Sequence, residues 1–145
     1  MATYLITGSN RGIGLEYCRQ LKERGDSVIA TCRNSSSQLD QLGIRVETGV
    51  DVTSGDSVLN LINKLRGEKI DVLIQNAGIH ENNSISNLDP ESLLRQFQVN
   101  ALSPLCFTRA MISNLKEGSK IILMTSRMGS IEDNTSGGSY GYRMS

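Results

Sequence analysis

The sequence predicts a doubly wound α/β fold, in which helices cover both faces of one parallel sheet. Short apolar segments alternate with amphipathic segments along the 145 residues. The segment IDVLIQ at 70–75 is apolar at nearly every position, which is typical of a strand buried on both faces of a parallel sheet. A glycine-rich turn follows the first apolar segment, and no repeat or linker divides the chain. We therefore expect residues 1–145 to form part or all of a single domain.

Five strands and three helices are predicted in alternation from the apolar spacing. The strands are Thr3–Thr7, Ser27–Cys32, Ile44–Val50, Ile70–Gln75 and Lys120–Thr125. The first helix, Ile13–Arg24, ends at Gly25, and the second extends from Ser54 to about Arg66. The third starts at Asp89-Pro90-Glu91, which combines an N-cap acid, a proline at the first helical position and an acid in the first turn. It is expected to extend to about Leu115. The inward-facing residues are Leu15, Cys18 and Leu21 in the first helix and Val58, Leu61, Ile62 and Leu65 in the second.

Composition excludes several classes of protein. Hydrophobic residues make up 38% of the chain and charged residues 21%, which is typical of a globular protein. The formal net charge is zero and no basic segment alternates with aromatic residues, so no nucleic-acid partner is expected. The start of the chain, MATYLITG, carries no signal-peptide pattern, and the apolar runs are too short to span a bilayer. Three cysteines without metal-type spacing predict no metal site and favour buried thiols in a reducing cytoplasm.

The turn ITGSNRGIG indicates a dinucleotide phosphate site. Gly8 permits a tight turn, Gly12 lets the backbone approach a pyrophosphate, and Gly14 lets the helix pack closely on the sheet. The helix start that follows offers unpaired N–H groups and a positive dipole end to phosphates. The spacing G-x-x-x-G-x-G differs from the commoner G-x-G-x-x-G, and no P-loop lysine follows. A glycine-rich turn without a ligand is the alternative.

The end of the second strand favours NADP(H) over NAD(H). An NAD site usually has an acidic residue about 20 residues after the glycines, to bind the ribose hydroxyls. Here the strand ends in Thr31-Cys32-Arg33-Asn34, without an acid. Arg33, helped by Arg11, could hold a 2′-phosphate through its planar guanidinium. The alternative for Arg33 is an ordinary solvated charge on a loop.

A kinked helix gives Asn100 a separate argument. Pro104, four residues later, has no N–H to donate to the Asn100 carbonyl, and its ring pushes that carbonyl away. The helix should therefore kink and leave this carbonyl free to hold a water molecule. An asparagine merely tolerated at a kinked turn is the alternative.

These motifs, taken in their order along the chain, resemble the short-chain dehydrogenase/reductase family. The resemblance covers essentially the whole chain. The segment near the end, TSGGSYGYRMS, is similar to the carbonyl-reductase branch that includes the C-factor and Sniffer-type proteins. The resemblance implies an NADP-binding Rossmann domain that is the N-terminal part of one dehydrogenase domain. The matching residues are Thr7, Gly8, Ser9, Asn10, Arg11, Gly12, Ile13, Gly14, Asp51, Val52, Asn76, Ala77, Gly78, Asn100, Ser126 and Tyr142.

The resemblance also implies a role for each group of residues. The glycine turn binds the cofactor phosphates, Asp51 and Val52 contact the adenine, and the stretch 76–78 lets the cofactor pass close to the sheet. Asn100 holds a relay water, and Ser126 donates a hydrogen bond to the substrate oxygen, with Thr125 as a less favoured substitute. Without the other motifs, the stretch 76–78 would be a simple turn and Ser126 a loop residue.

Tyr142 rather than Tyr140 matches the family tyrosine of Tyr-x-x-x-Lys. A free phenol has a pKa near 10, so it needs a neighbouring cation to transfer protons near neutrality. The lysine would fall at position 144 for Tyr140, which is Met144, and at position 146 for Tyr142, just beyond Ser145. The resemblance predicts roughly another 100 residues, with further strands and helices. An aromatic on a disordered end is the alternative for Tyr142.

Two functions remain open from the sequence. The first is an NADP(H)-dependent reductase of small carbonyl compounds, in which hydride passes to the carbonyl carbon and Tyr142 supplies the proton. The second is a catalytically inactive dinucleotide-binding or interaction module, because residues 1–145 lack the lysine. A phosphohydrolase lacks its P-loop lysine, and a methyltransferase leaves Ser126 and Tyr142 unexplained. The helix from Asp89 could supply a face for a homo-oligomer, and His80 is interpreted as a surface loop residue that could line the pocket.

Overall fold

A computed structural model describes residues 1–133 and 135–145. Its five-stranded sheet is parallel throughout and has the order β3-β2-β1-β4-β5. The strands are β1 (Thr3–Thr7), β2 (Ser27–Thr31), β3 (Arg45–Glu47), β4 (Ile70–Gln75) and β5 (Leu115–Leu123). The predicted doubly wound α/β class is confirmed.

Helices connect the strands, as the alternating pattern predicted. They are α1 (Gly12–Glu23), α2 (Ser37–Asp40), α3 (Gly55–Lys64), α4 (Pro90–Phe97), α5 (Ser103–Ala110) and α6 (Tyr140–Met144). The side chain of Asp89 accepts the Glu91 backbone N–H at the start of α4, so the predicted N-cap is present. The sequence did not predict the single turns of α2 and α6, which are too short to show an apolar periodicity.

The two faces of the sheet carry separate cores, because successive side chains of a strand point to opposite faces. Leu5 and Leu73 lie in the core that α3 and α5 cover, whereas the next residues in β1 and β4, Ile6 and Ile74, lie in the core that α1 and α2 cover. All four side chains are at most 2% exposed. The strand sequences are apolar at nearly every position because the side chains on both faces of the sheet are buried.

The third predicted helix is divided into several segments, which corrects the expectation of one helix from Asp89 to about Leu115. A π-helical segment, Gln98–Leu102, separates α4 from α5, and the Ser103 N–H bonds to the Gln98 carbonyl five residues earlier. Pro104 is the second residue of α5, where a missing N–H costs little. A short 3₁₀ turn, Ile112–Asn114, follows α5 and ends before β5. The helix expected from Asp89 therefore contains a widened turn directly before Ser103 and Pro104.

The last strand starts five residues earlier than predicted, at Leu115 and not at Lys120. Gly118 adopts a left-handed conformation with φ of +83°, and the pairing with β4 shifts register there. This irregularity hides the start of the strand from an alternation pattern. β5 occupies the edge of the sheet, where Ile121, Ile122 and Leu123 are 45%, 40% and 59% exposed.

The order of the strands positions a cleft at their carboxyl ends. The chain proceeds from β1 outward to β2 and β3, then returns to place β4 and β5 on the other side of β1. The connections after β1 and β4 therefore diverge to opposite sides of the sheet. Open α/β sheets bind ligands at such a reversal, and the residues that follow β1 and β4 are Gly8 and Asn76.

Candidate functional site

Two adjoining cavities form one cleft above the carboxyl ends of the strands. The first has a volume of about 640 Å³ and the second about 450 Å³. Residues from the turns after β1 and β4 form the wall between them. The shared lining residues are Ile13, Asn76, Ala77, Gly78, Ile79 and His80.

The glycine turn forms one side of the first cavity. Gly8 and Gly12 adopt left-handed conformations, with φ of +68° and +56°. A Cβ atom added to Gly12 would meet no atom within 4 Å, so open space lies beside this backbone, as an approaching pyrophosphate requires. The turn residues that line the cavity are Gly8, Asn10, Arg11, Gly12 and Ile13.

Two residues of the predicted turn site, Ser9 and Gly14, do not line the cavity. Ser9 is fully buried, and its hydroxyl donates to the Ile6 carbonyl at 2.8 Å. A Cβ atom on Gly14 would lie 2.2 Å from the Gly8 carbonyl oxygen and 2.5 Å from the Asn76 side-chain nitrogen. Gly14 therefore lets the start of α1 pack against the glycine turn and the Asn76 side chain.

Asn76 fastens the glycine turn to the end of β4. Its side-chain Nδ2 donates to the carbonyls of Thr7 and Gly8, both at 3.1 Å. In return, the Thr7 hydroxyl accepts the backbone N–H groups of Asn76 and Ala77, both at 3.0 Å. These four bonds fix the two turns relative to each other, so the wall between the cavities is rigid.

Charged side chains also line the first cavity. Arg11, Arg33, Asp51 and Val52, which the sequence analysis assigned to cofactor binding, are all among its lining residues. Both arginines are exposed, and neither forms an ion pair within residues 1–133 and 135–145. The Thr53 hydroxyl and backbone N–H donate to Asp51 Oδ1 at 2.7 and 2.9 Å. These bonds lower the pKa of Asp51 and keep it ionised near neutrality.

The second cavity brings together the three predicted catalytic residues, Asn100, Ser126 and Tyr142. Ser126 caps a 3₁₀ turn, Arg127–Gly129, and its hydroxyl oxygen accepts the Met128 N–H at 3.2 Å. Because that oxygen is the acceptor, the hydroxyl proton is available to another partner. Tyr142 lies in α6 and is half-buried, and Tyr140 is not among the residues that line this cavity.

Asn100 holds the loop after β4 through its side chain, which the sequence argument about its carbonyl did not anticipate. Its Nδ2 donates to the Ile79 carbonyl and its Oδ1 accepts the Ile79 N–H, both at 2.8 Å. Nδ2 also lies 3.0 Å from the Ser145 hydroxyl. The Asn100 side chain is therefore a structural link between the π-helical segment and the cleft wall.

Arg143 is a residue that the sequence analysis missed. Its guanidinium donates to the carbonyls of Gly137 and Gly138 at 3.1 and 2.8 Å, and to the Met128 carbonyl at 3.2 Å. It thus connects α6, which carries Tyr142, to the turn that Ser126 caps. An arginine next to a tyrosine carries no such signal in the sequence.

His80 has a more specific place than the loop position assigned from the sequence. It is exposed, as expected, but it lines both cavities. Its ring stacks on the Tyr142 ring with a centroid distance of 4.4 Å and an interplanar angle of 28°. The adjacent residues Ile79 and Glu81 also line the first cavity and were not predicted.

A model of the family described as short chain dehydrogenase matches residues 2–141 of the chain. The chain belongs to the short-chain dehydrogenase family. The family assignment made from the motifs is therefore confirmed.

Relatives within the short-chain dehydrogenase family include named oxidoreductases. The 1-hydroxy-2-glutathionyl-2-methyl-3-butene dehydrogenase of Rhodococcus sp. strain AD45 is 43% identical over 100% of this chain. The chain spans 65% of the length of that relative.

Solved structures agree with the fold. A carbonyl reductase from Pseudomonas aeruginosa PAO1 in complex with NADP superposes with a TM-score of 0.90 at 29% identity, over 99% of this chain and 70% of that one. The carbonyl reductase Sniffer of D. melanogaster superposes with a TM-score of 0.86 at 30% identity, over 99% of this chain and 68% of that one. The chain is thus similar to carbonyl reductases in sequence and backbone.

Residues 1–133 and 135–145 contain no group of three or more histidine, cysteine, aspartate or glutamate side chains arranged to hold a metal ion. No helix within the same described ranges is both long enough and apolar enough to cross a membrane.

Proposed function

We propose that the protein is an NADP(H)-dependent oxidoreductase that reduces a small carbonyl compound to an alcohol. One observation carries the proposal: a single cleft has an open glycine turn with two arginines at one end, and Ser126 with Tyr142 at the other. A dinucleotide needs the first set and carbonyl chemistry needs the second. Membership of the short-chain dehydrogenase family supports the same function.

The first cavity fits an NADP-type dinucleotide. The space beside Gly12 admits a pyrophosphate close to the backbone, and α1 directs its N-terminal N–H groups toward the turn. Arg33 and Arg11 would hold the 2′-phosphate, because guanidinium groups bind phosphate through paired hydrogen bonds. Asp51 and Val52 would contact the adenine. NADP bound to the Pseudomonas carbonyl reductase, which superposes closely, supports this choice over NAD.

Ser126 and Tyr142 would act on the substrate oxygen. The bound cofactor supplies the hydride that reduces the carbonyl carbon. Ser126 donates its available proton in a hydrogen bond to the carbonyl oxygen, where negative charge develops. Tyr142 transfers a proton to the same oxygen, which completes the alcohol. Asn100 holds the Ile79 segment of the wall in place, and its main-chain carbonyl remains our candidate to hold a relay water.

The catalytic tyrosine needs a cation that residues 1–145 do not supply from the family position. In the family, lysine follows the tyrosine by four residues, which corresponds to position 146. We therefore propose that a polypeptide of residues 1–145 binds dinucleotide but turns over at least ~100-fold more slowly than one that includes the downstream lysine, since positioned proton transfer contributes about 10²–10⁴-fold. Residues 1–145 alone would then act as a dinucleotide-binding module.

The size of the cleft bears on which substrates the protein accepts. The second cavity, of about 450 Å³, suits a small carbonyl compound or alcohol. The Rhodococcus relative is named for a glutathione-conjugated alcohol. We therefore include glutathione-conjugated alcohols beside simple aldehydes and ketones among the candidate substrates.

Turnover measurements test this function directly. The protein expressed from its native reading frame should consume NADPH with aldehydes or ketones, or reduce NADP⁺ with alcohols. Tyr142→Phe should lower kcat by about 10²–10⁴-fold, since it removes the proton donor. Tyr140→Phe is the matched control and should leave kcat unchanged. Turnover that survives Tyr142→Phe, or the absence of turnover with every substrate and both cofactors, would contradict the proposal.

We also propose that the protein forms a homo-oligomer through α4 and α5. Leu94, Phe97 and Leu105 are 69%, 51% and 70% exposed on these helices. Apolar side chains clustered on one element favour association with another protein surface. Sedimentation should show a dimer or larger oligomer, and the double variant Leu94→Lys/Leu105→Lys should shift it to a monomer. A wild-type monomer at high concentration would refute this part.

We place the protein in the cytoplasm because its cysteines are free thiols.

A further inference from the structure

His80 makes two contacts with the helix that carries Tyr142. Its ring stacks on the Tyr142 ring, with centroids 4.4 Å apart, and its Nε2 lies 3.1 Å from the Ser139 hydroxyl at the start of α6. Ser139 adopts a left-handed conformation with φ of 49°, which is unusual for a residue other than glycine. A strained residue at this position indicates that the surrounding contacts hold the start of α6 in place.

Two side-chain amides fix the backbone on both sides of His80. Asn100 bonds to the N–H and the carbonyl of Ile79, each at 2.8 Å. Gln96 bonds to the N–H and the carbonyl of Glu81 at 3.0 and 3.2 Å. Gln96 is fully buried, so these bonds are shielded from water. Because both neighbours of His80 are clamped, its ring projects from a backbone that has little freedom to move.

The start of α6 is held to the same loop. The Asn83 carbonyl accepts the Ser139 N–H at 2.9 Å, and the Asn83 side chain accepts the Tyr140 N–H at 2.7 Å. A Cβ atom on Gly141 would lie 2.5 Å from Gln96 Nε2, so α6 packs directly on the amide that clamps the loop. His80 thus lies between two segments that are each fixed to α4 or to the π-helical segment after it.

We propose that His80 is a positioning residue that holds the Tyr142 ring, and with it the phenol hydroxyl, in line with the substrate oxygen. The inference rests on the proposed function, in which Tyr142 donates the proton. The stacked imidazole restrains the plane of the phenol ring, and the Nε2–Ser139 bond restrains the imidazole. A proton donor displaced by about 1 Å loses on the order of 10²-fold in rate, so this restraint affects kcat more than binding.

A merely structural histidine would behave differently. If His80 only stabilised the loop, its removal would lower the melting temperature and weaken NADPH binding together with kcat. If it were an ordinary surface residue, its removal would change none of these quantities. A positioning role predicts a loss of kcat with binding and stability nearly unchanged, because the backbone at 79–81 remains clamped by Asn100 and Gln96.

A set of variants of the protein from its native reading frame tests the inference. His80→Ala should lower kcat by about 10- to 100-fold, while the dissociation constant for NADPH changes by less than about threefold. His80→Phe keeps an aromatic ring over Tyr142 and should restore most of kcat. Ser139→Ala removes the bond to Nε2 together with the bond that the Ser139 hydroxyl donates to Asn82 Oδ1, and it should have a small effect because the stacking of His80 on Tyr142 remains. An unchanged kcat in His80→Ala would overturn the inference.

A double-mutant cycle shows whether His80 acts through Tyr142. In the Tyr142→Phe background, His80→Ala should cause no further loss of kcat, because the hydroxyl that it positions is already gone. If His80→Ala lowers kcat by the same factor in the wild type and in Tyr142→Phe, His80 acts independently of Tyr142. That result would overturn the inference even if the proposed function holds. If Tyr142→Phe itself has no effect on turnover, the proposed function fails instead.

A measurement that does not depend on turnover tests the positioning role of His80 separately from the proposed function. Hydrogen exchange of the backbone amides in Tyr140–Met144 should be faster in His80→Ala than in the wild type, and normal in His80→Phe. Exchange that is identical in all three proteins would overturn the positioning role, whatever the enzyme activity shows.

Discussion

Gly14→Ala tests how the start of α1 packs against the glycine turn. A Cβ atom at this position would lie 2.2 Å from the Gly8 carbonyl oxygen and 2.5 Å from Asn76 Nδ2. Cβ atoms essentially never come within 3.0 Å of a non-bonded heavy atom outside their own residue and its chain neighbours. The helix start or the turn must therefore move by about 1 Å, in an interior that is densely packed.

Two destabilising contributions and one stabilising contribution determine the change in the free energy of unfolding. Overpacking of this kind costs about 1–3 kcal/mol. The displaced Asn76 amide loses its bonds to the Thr7 and Gly8 carbonyls, each worth about 0.5–1.5 kcal/mol. Alanine in place of glycine returns up to about 1 kcal/mol of helix propensity. We expect a net destabilisation of about 2–4 kcal/mol, and a fall in melting temperature of roughly 5–15 °C for a chain of this size.

Urea and thermal unfolding followed by circular dichroism measure this loss. Gly55→Ala is the matched control, because Gly55 starts α3 and a Cβ atom there would meet nothing within 4 Å. It should leave stability unchanged or raise it by up to about 1 kcal/mol. The packing argument is wrong if Gly14→Ala is as stable as the wild type.

Two further predictions concern single side chains. A thiol reagent should label Cys106, which is exposed, before Cys18 and Cys32, because burial raises the pKa of both buried thiols; equal labelling rates of the three in the folded protein would contradict this. The pKa of Asp51 is lowered by bonds from Thr53, so this carboxylate stabilises the fold above pH ~4, the ordinary aspartate value, and the contribution is lost as the pH falls below it. Thr53→Val removes the hydroxyl bond and keeps the backbone bond, so it should lower the melting temperature at pH 7 and narrow the difference in melting temperature between pH 7 and pH 3. An unchanged difference would show that the hydroxyl bond does not lower the pKa of Asp51.

The fold was predictable because its central strands are buried on both faces. The bounds of β1 and β4 agree with the sequence prediction residue for residue, and turn residues directly follow both apolar runs. The edge strands were less predictable. β3 is three residues long, within the predicted Ile44–Val50, and β5 contains the irregularity at Gly118. At an edge, one side of the strand has no partner to enforce a regular pattern.

The cleft was predictable in outline but not in its internal contacts. Residues that follow parallel strands must meet at one edge of the sheet, so the motifs placed Arg33, Asp51 and Asn76 in one cavity. The sequence did not reveal that the Ser9 side chain turns inward to the Ile6 carbonyl, because adjacency to Gly8 does not encode this contact. The contact of His80 with Ser139 joins residues 59 apart in sequence, and no local pattern encodes such a contact.

Cofactor binding tests the central claim most directly. Titration of the protein with NADPH and with NADH, followed by calorimetry or nucleotide fluorescence, gives both dissociation constants without any substrate. We expect NADPH to bind at least about 10-fold more tightly, because charge-assisted bonds to the 2′-phosphate contribute about 1.5–3 kcal/mol. Arg33→Ala should remove most of that preference and leave NADH binding unchanged, whereas Arg66→Ala, an exposed residue that does not line the cavity, should change neither. Equal affinity for the two nucleotides, a preference for NADH, or binding of neither would contradict the account.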